Sequence, residues 1–276
     1  MEVNNHRLVA DNVEWRESPN QGGKLVKSRP DSIIIHYTAG SSAESSVRSL
    51  SNPAQKVSAH LVVGQKGEIY QLVPFDTVAW HAGRSSWKGR SGYNQYSVGI
   101  EIDNAGILTP NGSGKYLSWF NRVYEPDEVL QATHRNETTA RYWHRYPEKQ
   151  IEAVFSICNA LYDAYPIREV LGHEEISPSR KTDPGPAFPL DRLRSVLFDS
   201  DRQENNPDDE FPPNAKAASV AAPLLNIRRG PDVSFDQVAA PLKQGDRVEI
   251  VDREGNWSKV RYTTEGWVST RYLSKV

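Results

Sequence analysis

A short stretch in the second half of the chain, VLGHEEISPSRKTDPGPAF at residues 170–188, brings three chemically useful side chains close together. His173, Lys181 and Asp183 lie within eleven residues of one another. The surrounding residues include Pro178, Pro184, Pro186 and Pro189. Because proline fixes φ and removes a backbone donor, the segment is predicted to be a rigid loop rather than a helix or strand. A rigid loop with three polar side chains is typical of a site.

A second histidine of interest, His36, is the fifth residue of SIIIHY (residues 32–37), the most hydrophobic predicted strand of the chain. Two histidines and a carboxylate, with water in the fourth position, are the ligand set of a catalytic zinc site. His36, His173 and Asp183 could supply that set. Their spacing is less specific than that of two histidines on one helix, and a hydrogen-bonded core histidine remains the alternative for His36.

Composition excludes several other classes of function. The chain has 276 residues with 33 basic and 35 acidic side chains, so its overall charge does not favour nucleic acid or a membrane surface as a partner. A single cysteine excludes an intramolecular disulfide and a cysteine-built zinc cluster. No stretch approaches the roughly 18 apolar residues of a membrane span, and the first residues lack the pattern of an export signal. We therefore expect a soluble protein.

The helices that must position the loop follow from hydrophobic periodicity. The segment PEKQIEAVFSICNALYDAYP (residues 147–166) has apolar residues at three- and four-residue steps, which predicts an amphipathic helix bounded by prolines. Cys158 falls on its apolar face and is interpreted as a core residue, because no basic partner lies at helical spacing. Shorter helices are expected at 43–50 and 189–198.

Strands are predicted from apolar runs at 32–37 and 96–102, and from a hairpin between them whose turn lies at Gly64 and Gly67. Apolar runs of this length indicate strands that are buried on both faces, in the centre of a sheet covered by helices. The predicted fold class is α/β, with a central mixed β-sheet flanked by helices.

The composition changes near residue 199. Residues 199–218 contain six acidic and two basic side chains and three prolines, which is typical of a linker. Residues 219–276 alternate short apolar runs with turns, which predicts a small antiparallel barrel. We therefore expect a first domain at 1–198, a linker at 199–218 and a second domain at 219–276.

Four motifs of the first domain together resemble a known family. In chain order they are SIIIHYTAG, SAHLVVGQKGEIYQLVPFDTVAWHAG, YNQYSVGIEIDNAG and VLGHEEISPSRKTDPGPAFP. They are similar to the zinc-dependent N-acetylmuramoyl-L-alanine amidases of the phage-lysozyme and anhydromuropeptide-amidase superfamily, which is related to peptidoglycan recognition proteins. The resemblance implies that His36, His173 and Asp183 bind Zn²⁺, that Glu101 and Lys181 are catalytic, and that the partner is peptidoglycan or a muropeptide.

The roles implied for Glu101 and Lys181 agree with the chemistry of their side chains. A glutamate beside a zinc-bound water can accept its proton and deliver it to the leaving amine. A lysine in the same cleft can stabilise the oxyanion that forms when water attacks an amide carbonyl. The alternatives are that strand alternation points Glu101 at solvent and that Lys181 is a solvated loop lysine.

Three further residues match family positions near the cleft with less certain roles. His60 and His81 could line the cleft and contact substrate, or could be structural histidines with satisfied hydrogen bonds. Asn94 could contact substrate or hold a loop through turn hydrogen bonds.

Residues 106–147 form an insertion that is longer than minimal members of the family need. Its aromatic residues form either a local core or a wall for the glycan and peptide of the substrate. They are Trp119, Phe120, Tyr124, Tyr142 and Trp143.

The second domain resembles the bacterial SH3-like module through LNIRRGP, GDRVEIV and GWVSTRYL. Relatives of this module bind cell wall or only pack against a catalytic domain. The candidates for a binding groove are Trp257, Tyr262, Trp267 and Tyr272.

Two classes of function remain at this stage. The first is a peptidoglycan hydrolase that cleaves the amide bond between N-acetylmuramic acid and L-alanine. The alternative is a non-catalytic peptidoglycan-binding protein of the same fold. Without an export signal, we expect the chain to act in the cytoplasm or to reach the wall through phage lysis or a secretion machine.

Overall fold

The computed structural model describes residues 1–198, 216–220, 224–231, 235, 238–239, 242–243, 245–254 and 257–262. The chain divides into two compact units, Met1–Leu197 and Phe198–Val276, and each is described by itself. None of the described helices is long and apolar enough to cross a membrane.

The first unit contains seventeen of the described strands. In chain order these are β1 Glu2–Asn4, β2 Arg7–Val9, β3 Val13–Trp15, β4 Gln21–Lys24, β5 Ser32–Tyr37, β6 Leu61–Val63, β7 Ile69–Gln71, β8 Thr77–Ala79, β9 Ser86–Trp87, β10 Arg90–Ser91, β11 Ser97–Ile102, β12 Ile107–Pro110, β13 Tyr116–Leu117, β14 Val123–Tyr124, β15 Val129–Thr133, β16 Ala140–His144 and β17 Glu169–Gly172. The helices are α1 Ala43–Leu50, α2 Glu148–Ala164, α3 His173–Ile176 and α4 Leu190–Phe198, with single 3₁₀ turns at Val26–Ser28, Tyr93–Gln95 and Pro126–Glu128.

The central sheet has six strands in the order β17-β5-β11-β6-β7-β3. The first four run parallel, β6 and β7 form an antiparallel hairpin, and β3 is parallel to β7. The predicted mixed sheet is therefore confirmed. Ile33, Ile34 and Ile35 of β5 are fully buried, because a central strand is covered on both faces.

Helix α2 matches the long helix expected from the sequence, beginning after Pro147 and ending before Tyr165. Cys158 is fully buried on its apolar face, and burial raises the pKa of its thiol, as expected of an inert core cysteine. At the start of α2, the buried side-chain amide of Gln150 donates hydrogen bonds to the carbonyl oxygens of Val63 and Asp103. These bonds join the helix to the carboxyl ends of two strands.

The insertion forms a five-stranded sheet in the order β14-β13-β12-β16-β15. Tyr124 and Trp143 are fully buried, and Phe120 and Tyr142 pack against the cluster that contains Tyr124. These residues form a local core, whereas Trp119 is 73% exposed. The local-core alternative therefore describes these four residues, and a role of Trp119 as a wall for substrate stays a prediction.

In the second unit the described strands are β18 Ala217–Ser219, β19 Leu224–Leu225, β20 Leu242–Lys243, β21 Arg247–Glu254 and β22 Trp257–Arg261. Strands β18, β21 and β22 form an antiparallel sheet over a small core of Val220, Leu242 and Val248. Residues 217 and 218, predicted as linker, lie in β18, because their backbone pairs with β21. The rest of the predicted linker, apart from Lys216, lies outside the described residues.

Gly99, in the middle of β11, provides the first prediction. A methyl group on Gly99 would overlap the ring of His81, so Gly99→Ala must displace that ring. We expect Gly99→Ala to lower the free energy of unfolding by about 1–3 kcal/mol, the usual cost of overpacking. Urea denaturation measures this change. The control is Gly23→Ala, where an added methyl meets no atom within 4 Å and the effect should be negligible. Equal effects at both positions would contradict this packing.

Candidate metal centre

The register of the central sheet places two of the predicted site residues side by side. Strands β5 and β11 are parallel, and Glu101 is the register partner of His36. Register partners project from the same face of a sheet, so both side chains face one cleft at the carboxyl ends of these strands. His173 is the first residue of α3, directly after β17, which borders β5 on its other side.

Three buried ligand-type atoms converge at this edge. His36 Nδ1, His173 Nδ1 and Asp183 Oδ2 lie 2.9 Å from one another in all three pairs. Among the described residues this is the group of histidine, cysteine and carboxylate side chains that could hold a metal ion. The structure therefore brings together the three residues that the sequence identified as candidate ligands.

The hydrogen bonds around His173 determine which ring nitrogen carries a proton. His173 Nε2 lies 3.1 Å from the carbonyl oxygen of Ala82, which can only accept, so Nε2 is the protonated nitrogen. In the neutral ring, Nδ1 then has a lone pair and faces the oxygen of Asp183.

A similar chain of hydrogen bonds orients His36. Ser97 Oγ donates to the carbonyl oxygen of Tyr93 at 2.6 Å and therefore accepts from His81 Nε2 at 3.3 Å. His81 Nδ1 then accepts from His36 Nε2 at 3.0 Å, which leaves a lone pair on His36 Nδ1. This chain gives His81 a positioning role beneath the candidate ligand.

These assignments test whether the site fits a metal. With both rings neutral, three lone-pair atoms lie 2.9 Å apart and repel one another unless a cation lies between them. Burial, followed by the neighbouring His173, lowers the pKa of His36 to about 4, so its ring is neutral at neutral pH. Two neutral imidazoles and one carboxylate are the donor set of a catalytic zinc site with an open fourth position. The residues present therefore fit Zn²⁺.

Asp183 is ionised in this environment. Burial alone would raise its pKa, but the contacts with His173 and His36 outweigh burial and hold the pKa below its ordinary value. An ionised carboxylate is the form that binds a metal.

The loop that carries Asp183 is held by more than its prolines. The backbone N–H of Glu174 donates to the carbonyl oxygen of Asp183, and the Tyr146 hydroxyl donates to that of Pro184. The Glu174 carboxylate accepts from the N–H of Gly185 and pairs with His134 of the insertion at 2.7 Å.

The sequence alone did not predict this bracing function of His134, Tyr146 and Glu174. The one signal available was the acidic residue immediately after His173 in HEEI. His134 gave no such signal, because it lies 40 residues from Glu174 in the chain.

Glu101 has the environment of a proton-transferring group. Its Oε2 atom is buried and has no hydrogen-bond partner within the described part of the chain. Burial, followed by the nearby Asp183 carboxylate, raises the pKa of Glu101 well above its ordinary value of 4.5. A carboxyl group with a raised pKa in a cleft is suited to general acid–base chemistry.

Two further residues of the cleft lining, Arg180 and Lys181, carry positive charge. Lys181 lines the same cleft as His36, Glu101 and Asp183, which agrees with its predicted location. Arg180 also lines it, and its guanidinium is held by the carbonyl oxygens of Ala82 and Arg84. No motif of the sequence predicted this location for Arg180.

His60 lies outside the cleft lining and has a structural environment. It is fully buried, its Nε2 donates to the carbonyl oxygen of Thr77, and its Nδ1 accepts from the N–H of Gly99. Of the two alternatives, the structural one describes His60, because both ring nitrogens are occupied by backbone groups.

Asn94 also contacts backbone. Its Oδ1 accepts from the N–H groups of His81 and Ala82, which agrees with the loop-holding alternative.

In the second unit, Trp257 is half-buried in β22 and Tyr262 packs beside the Val220 cluster. Trp267 and Tyr272 lie outside the described residues. The wall-binding role of these four residues stays a prediction.

Comparison with known proteins agrees with this geometry. The sequence profile of the N-acetylmuramoyl-L-alanine amidase family matches residues 26–186, which is more than half of the chain and includes every residue of the cleft. The chain belongs to this family. The profile of the bacterial SH3 domain matches residues 223–274.

Several members of the amidase family resemble the chain. The 1,6-anhydro-N-acetylmuramyl-L-alanine amidase AmpD of Citrobacter freundii is 33% identical over 151 residues, covering 54% of this chain and 62% of that protein. The N-acetylmuramoyl-L-alanine amidase AmiD of Escherichia coli K12 is 31% identical over 170 residues, covering 58% and 51%. The matched region thus spans less than two thirds of either relative. A crystal structure of a selenomethionine derivative of AmpD aligns at a TM-score of 0.50 and 26% identity, covering 71% of this chain and 99% of that one.

The environment of His60 generates a prediction about pH. Burial lowers the pKa of His60 to about 4, whereas an unfolded histidine titrates near 6.5. Between these values the unfolded chain binds more protons, so His60 contributes stability above pH 6.5 that is lost as the pH falls towards 4.

His60→Gln should be less stable than wild type at pH 7.5, and the gap should narrow by about 1 kcal/mol at pH 5.5, because the variant has no ring to protonate. The measurement is urea unfolding of both proteins at the two pH values with a chelator present. Glu101, whose pKa is raised, gives the free energy of unfolding a pH dependence opposite to that of His60. Both proteins contain Glu101, so its contribution cancels when their stabilities are subtracted at each pH. A gap that does not change with pH would show that His60 is not held neutral in the folded state.

Proposed function

We propose that this protein is a zinc-dependent hydrolase that cleaves the amide bond between N-acetylmuramic acid and the L-alanine of the stem peptide. The observation that carries the proposal is the cleft itself. In it, three converging atoms that could bind a metal lie beside the buried carboxylate oxygen of Glu101, which has no hydrogen-bond partner among the described residues. Membership of the amidase family and the printed activities of AmpD and AmiD support the same reaction.

His36, His173 and Asp183 would hold the metal. When bound there, Zn²⁺ supplies Lewis-acid chemistry and lowers the pKa of a water molecule. The buried hydrogen bonds behind the two histidine rings hold the rings in the orientation in which their lone pairs would face the ion, as positioning groups behind metal ligands commonly do.

Glu101 transfers the proton. As water attacks the scissile carbonyl, the Glu101 carboxylate accepts a proton from it, and the same group then protonates the nitrogen of the leaving L-alanyl peptide. The raised pKa of Glu101 favours the first transfer, because a carboxylate with a raised pKa is a stronger base and its protonated form is stable in the cleft.

Lys181 stabilises the oxyanion. Its ammonium lines the cleft together with Glu101 and Asp183, and the negative charge that develops on the carbonyl oxygen is greatest in the transition state. Lys181 therefore contributes more to turnover than to binding of substrate.

A non-catalytic peptidoglycan-binding protein is the competing function. It would need neither a full ligand set nor an unpartnered carboxylate beside it. Both features are present among the described cleft residues, and they favour catalysis.

The first test of this proposal is metal content. The purified protein should contain about one zinc ion per chain, and His36→Ala, His173→Ala and Asp183→Ala should each reduce its zinc affinity by several orders of magnitude, because two protein ligands cannot hold an open tetrahedral site. Metal analysis and competition with a chromophoric chelator measure this. His6→Ala, a change of a partly exposed histidine outside the cleft, is the control. Full occupancy in all three ligand variants would refute the metal site.

The second test separates metal binding from chemistry. Glu101→Gln preserves volume but removes the base, so turnover should fall by about 10²–10⁴-fold while zinc content and muropeptide affinity persist. Lys181→Met should lower turnover by about 10²–10³-fold, the usual effect of losing an oxyanion-stabilising group.

The measurement for both variants is single-turnover release of L-alanyl peptide, together with zinc content and binding of the same muropeptide. Lys66→Met, at an exposed hairpin turn, is the control for Lys181→Met. Near wild-type turnover in Glu101→Gln would refute the mechanism. Binding of muropeptide by wild type without release of peptide would favour the non-catalytic protein.

A further inference from the structure

A second groove opens from the metal cleft. It has a volume of about 390 Å³ and shares Thr38, Ala39, Leu50, Val57 and Glu101 with the cleft. Away from these shared residues it runs between the length of α1 and the turn that joins β13 to β14 in the insertion. This groove, called the Trp119 groove below, begins at the proposed proton-transferring residue.

Trp119 forms the outer wall of the groove. Its side chain is 73% exposed, yet the indole N–H donates a 2.7 Å hydrogen bond to the carbonyl oxygen of Ala39. Phe120 meets it edge to face, with ring centroids 5.6 Å apart, and packs against the core of the insertion. The largest type of apolar side chain is thus held in a fixed orientation without being buried, which is typical of a binding surface.

The floor of the groove is lined with hydroxyl groups. Ser41 precedes α1, and Ser45 and Ser49 lie one turn apart on it. Among the described residues that line the groove, Glu101 is the only one that carries a charge, and it lies at the inner end. The metal cleft differs, because Arg180 and Lys181 line it.

The two halves of the proposed substrate differ in charge, as the groove and the metal cleft do. On one side of the scissile amide is a neutral N-acetylated saccharide, whose rings have apolar C–H faces and hydroxyl edges. On the other side is a peptide that carries carboxylates. An aromatic wall over a floor of hydroxyls fits the saccharide, and a cleft with two cationic side chains fits the peptide.

We infer that the Trp119 groove is a saccharide subsite, which binds the glycan side of the substrate while the Arg180 side of the cleft receives the stem peptide. The inference rests on the proposed function for the direction of the substrate, but the groove itself can be tested without turnover. It predicts that the protein prefers substrates that retain their sugar over peptides that carry only the lactyl group.

The first experiment measures binding of chitotetraose, a neutral N-acetylated saccharide with no peptide, to the full-length zinc-loaded protein by calorimetry. Trp119→Ala should weaken binding at least tenfold, whereas Trp119→Phe, which keeps an aromatic face, should weaken it less. Val123→Ala is the matched control, because Val123 lies in the same insertion, is 48% exposed and is not part of the groove lining. Equal affinities for wild type and Trp119→Ala would overturn the inference.

The second experiment compares hydrolysis of a disaccharide–tetrapeptide with that of the corresponding N-lactyl tetrapeptide. Trp119→Ala should lower kcat/KM about tenfold for the first substrate, mainly through KM, and less than twofold for the second. Equal losses on both substrates would overturn the inference, because they would indicate a general structural effect.

The two proposals fail in distinguishable ways. Release of peptide by wild type with no effect of Trp119→Ala on saccharide binding or on hydrolysis would overturn the groove and leave the amidase proposal intact. Saccharide binding that depends on Trp119, in a protein that releases no peptide, would support the groove and refute the amidase proposal.

Discussion

The site is governed by one constraint. Three buried atoms that carry lone pairs, from His36, His173 and Asp183, are held 2.9 Å apart, where they repel one another. Hydrogen bonds behind the rings of His36 and His173 fix their neutral tautomers, and both rings face the ionised Asp183 at 2.9 Å. A metal ion between the three atoms would relieve this repulsion while both rings stay neutral. The parallel register of β5 and β11 then places Glu101 beside the same point, so that the group suited to proton transfer and the metal ligands share one cleft.

The insertion connects this centre to the rest of the unit. His134 pairs with Glu174, and the ring of Trp143 packs so closely against Gly185 that a Cβ there would lie 2.8 Å from it. The insertion thereby braces the loop of Asp183 from one side. Through Trp119 it also forms the wall of the groove that leads away from the cleft. One added sheet therefore contributes both to holding the candidate ligands and to the surface that would select the substrate.

Much of the fold could be predicted from local pattern. The apolar period of residues 147–166 determined α2, and the apolar runs identified β5 and β11, because periodicity reports burial directly. At the end of the predicted linker, Ala217 has the composition of a linker but pairs with β21, because strand pairing depends on residues that are distant in sequence. The insertion's sheet was not predicted, because strands of two to five residues carry too little pattern to be recognised.

By itself, the sequence determined the residue types of the candidate site and the proline-rich loop around Asp183, because both are properties of short segments. The loop predicted over residues 170–188 was wrong for residues 170–176, which lie in β17 and α3, because they pack and pair with elements distant in sequence. Only the tertiary structure decided which role each histidine has. His36 and His60 both follow apolar residues, yet the ring of one faces the cleft while backbone groups occupy both nitrogens of the other. The reason is physical: the role of a buried imidazole depends on the partners of its two nitrogens, and those partners come from strands and loops that are distant in sequence.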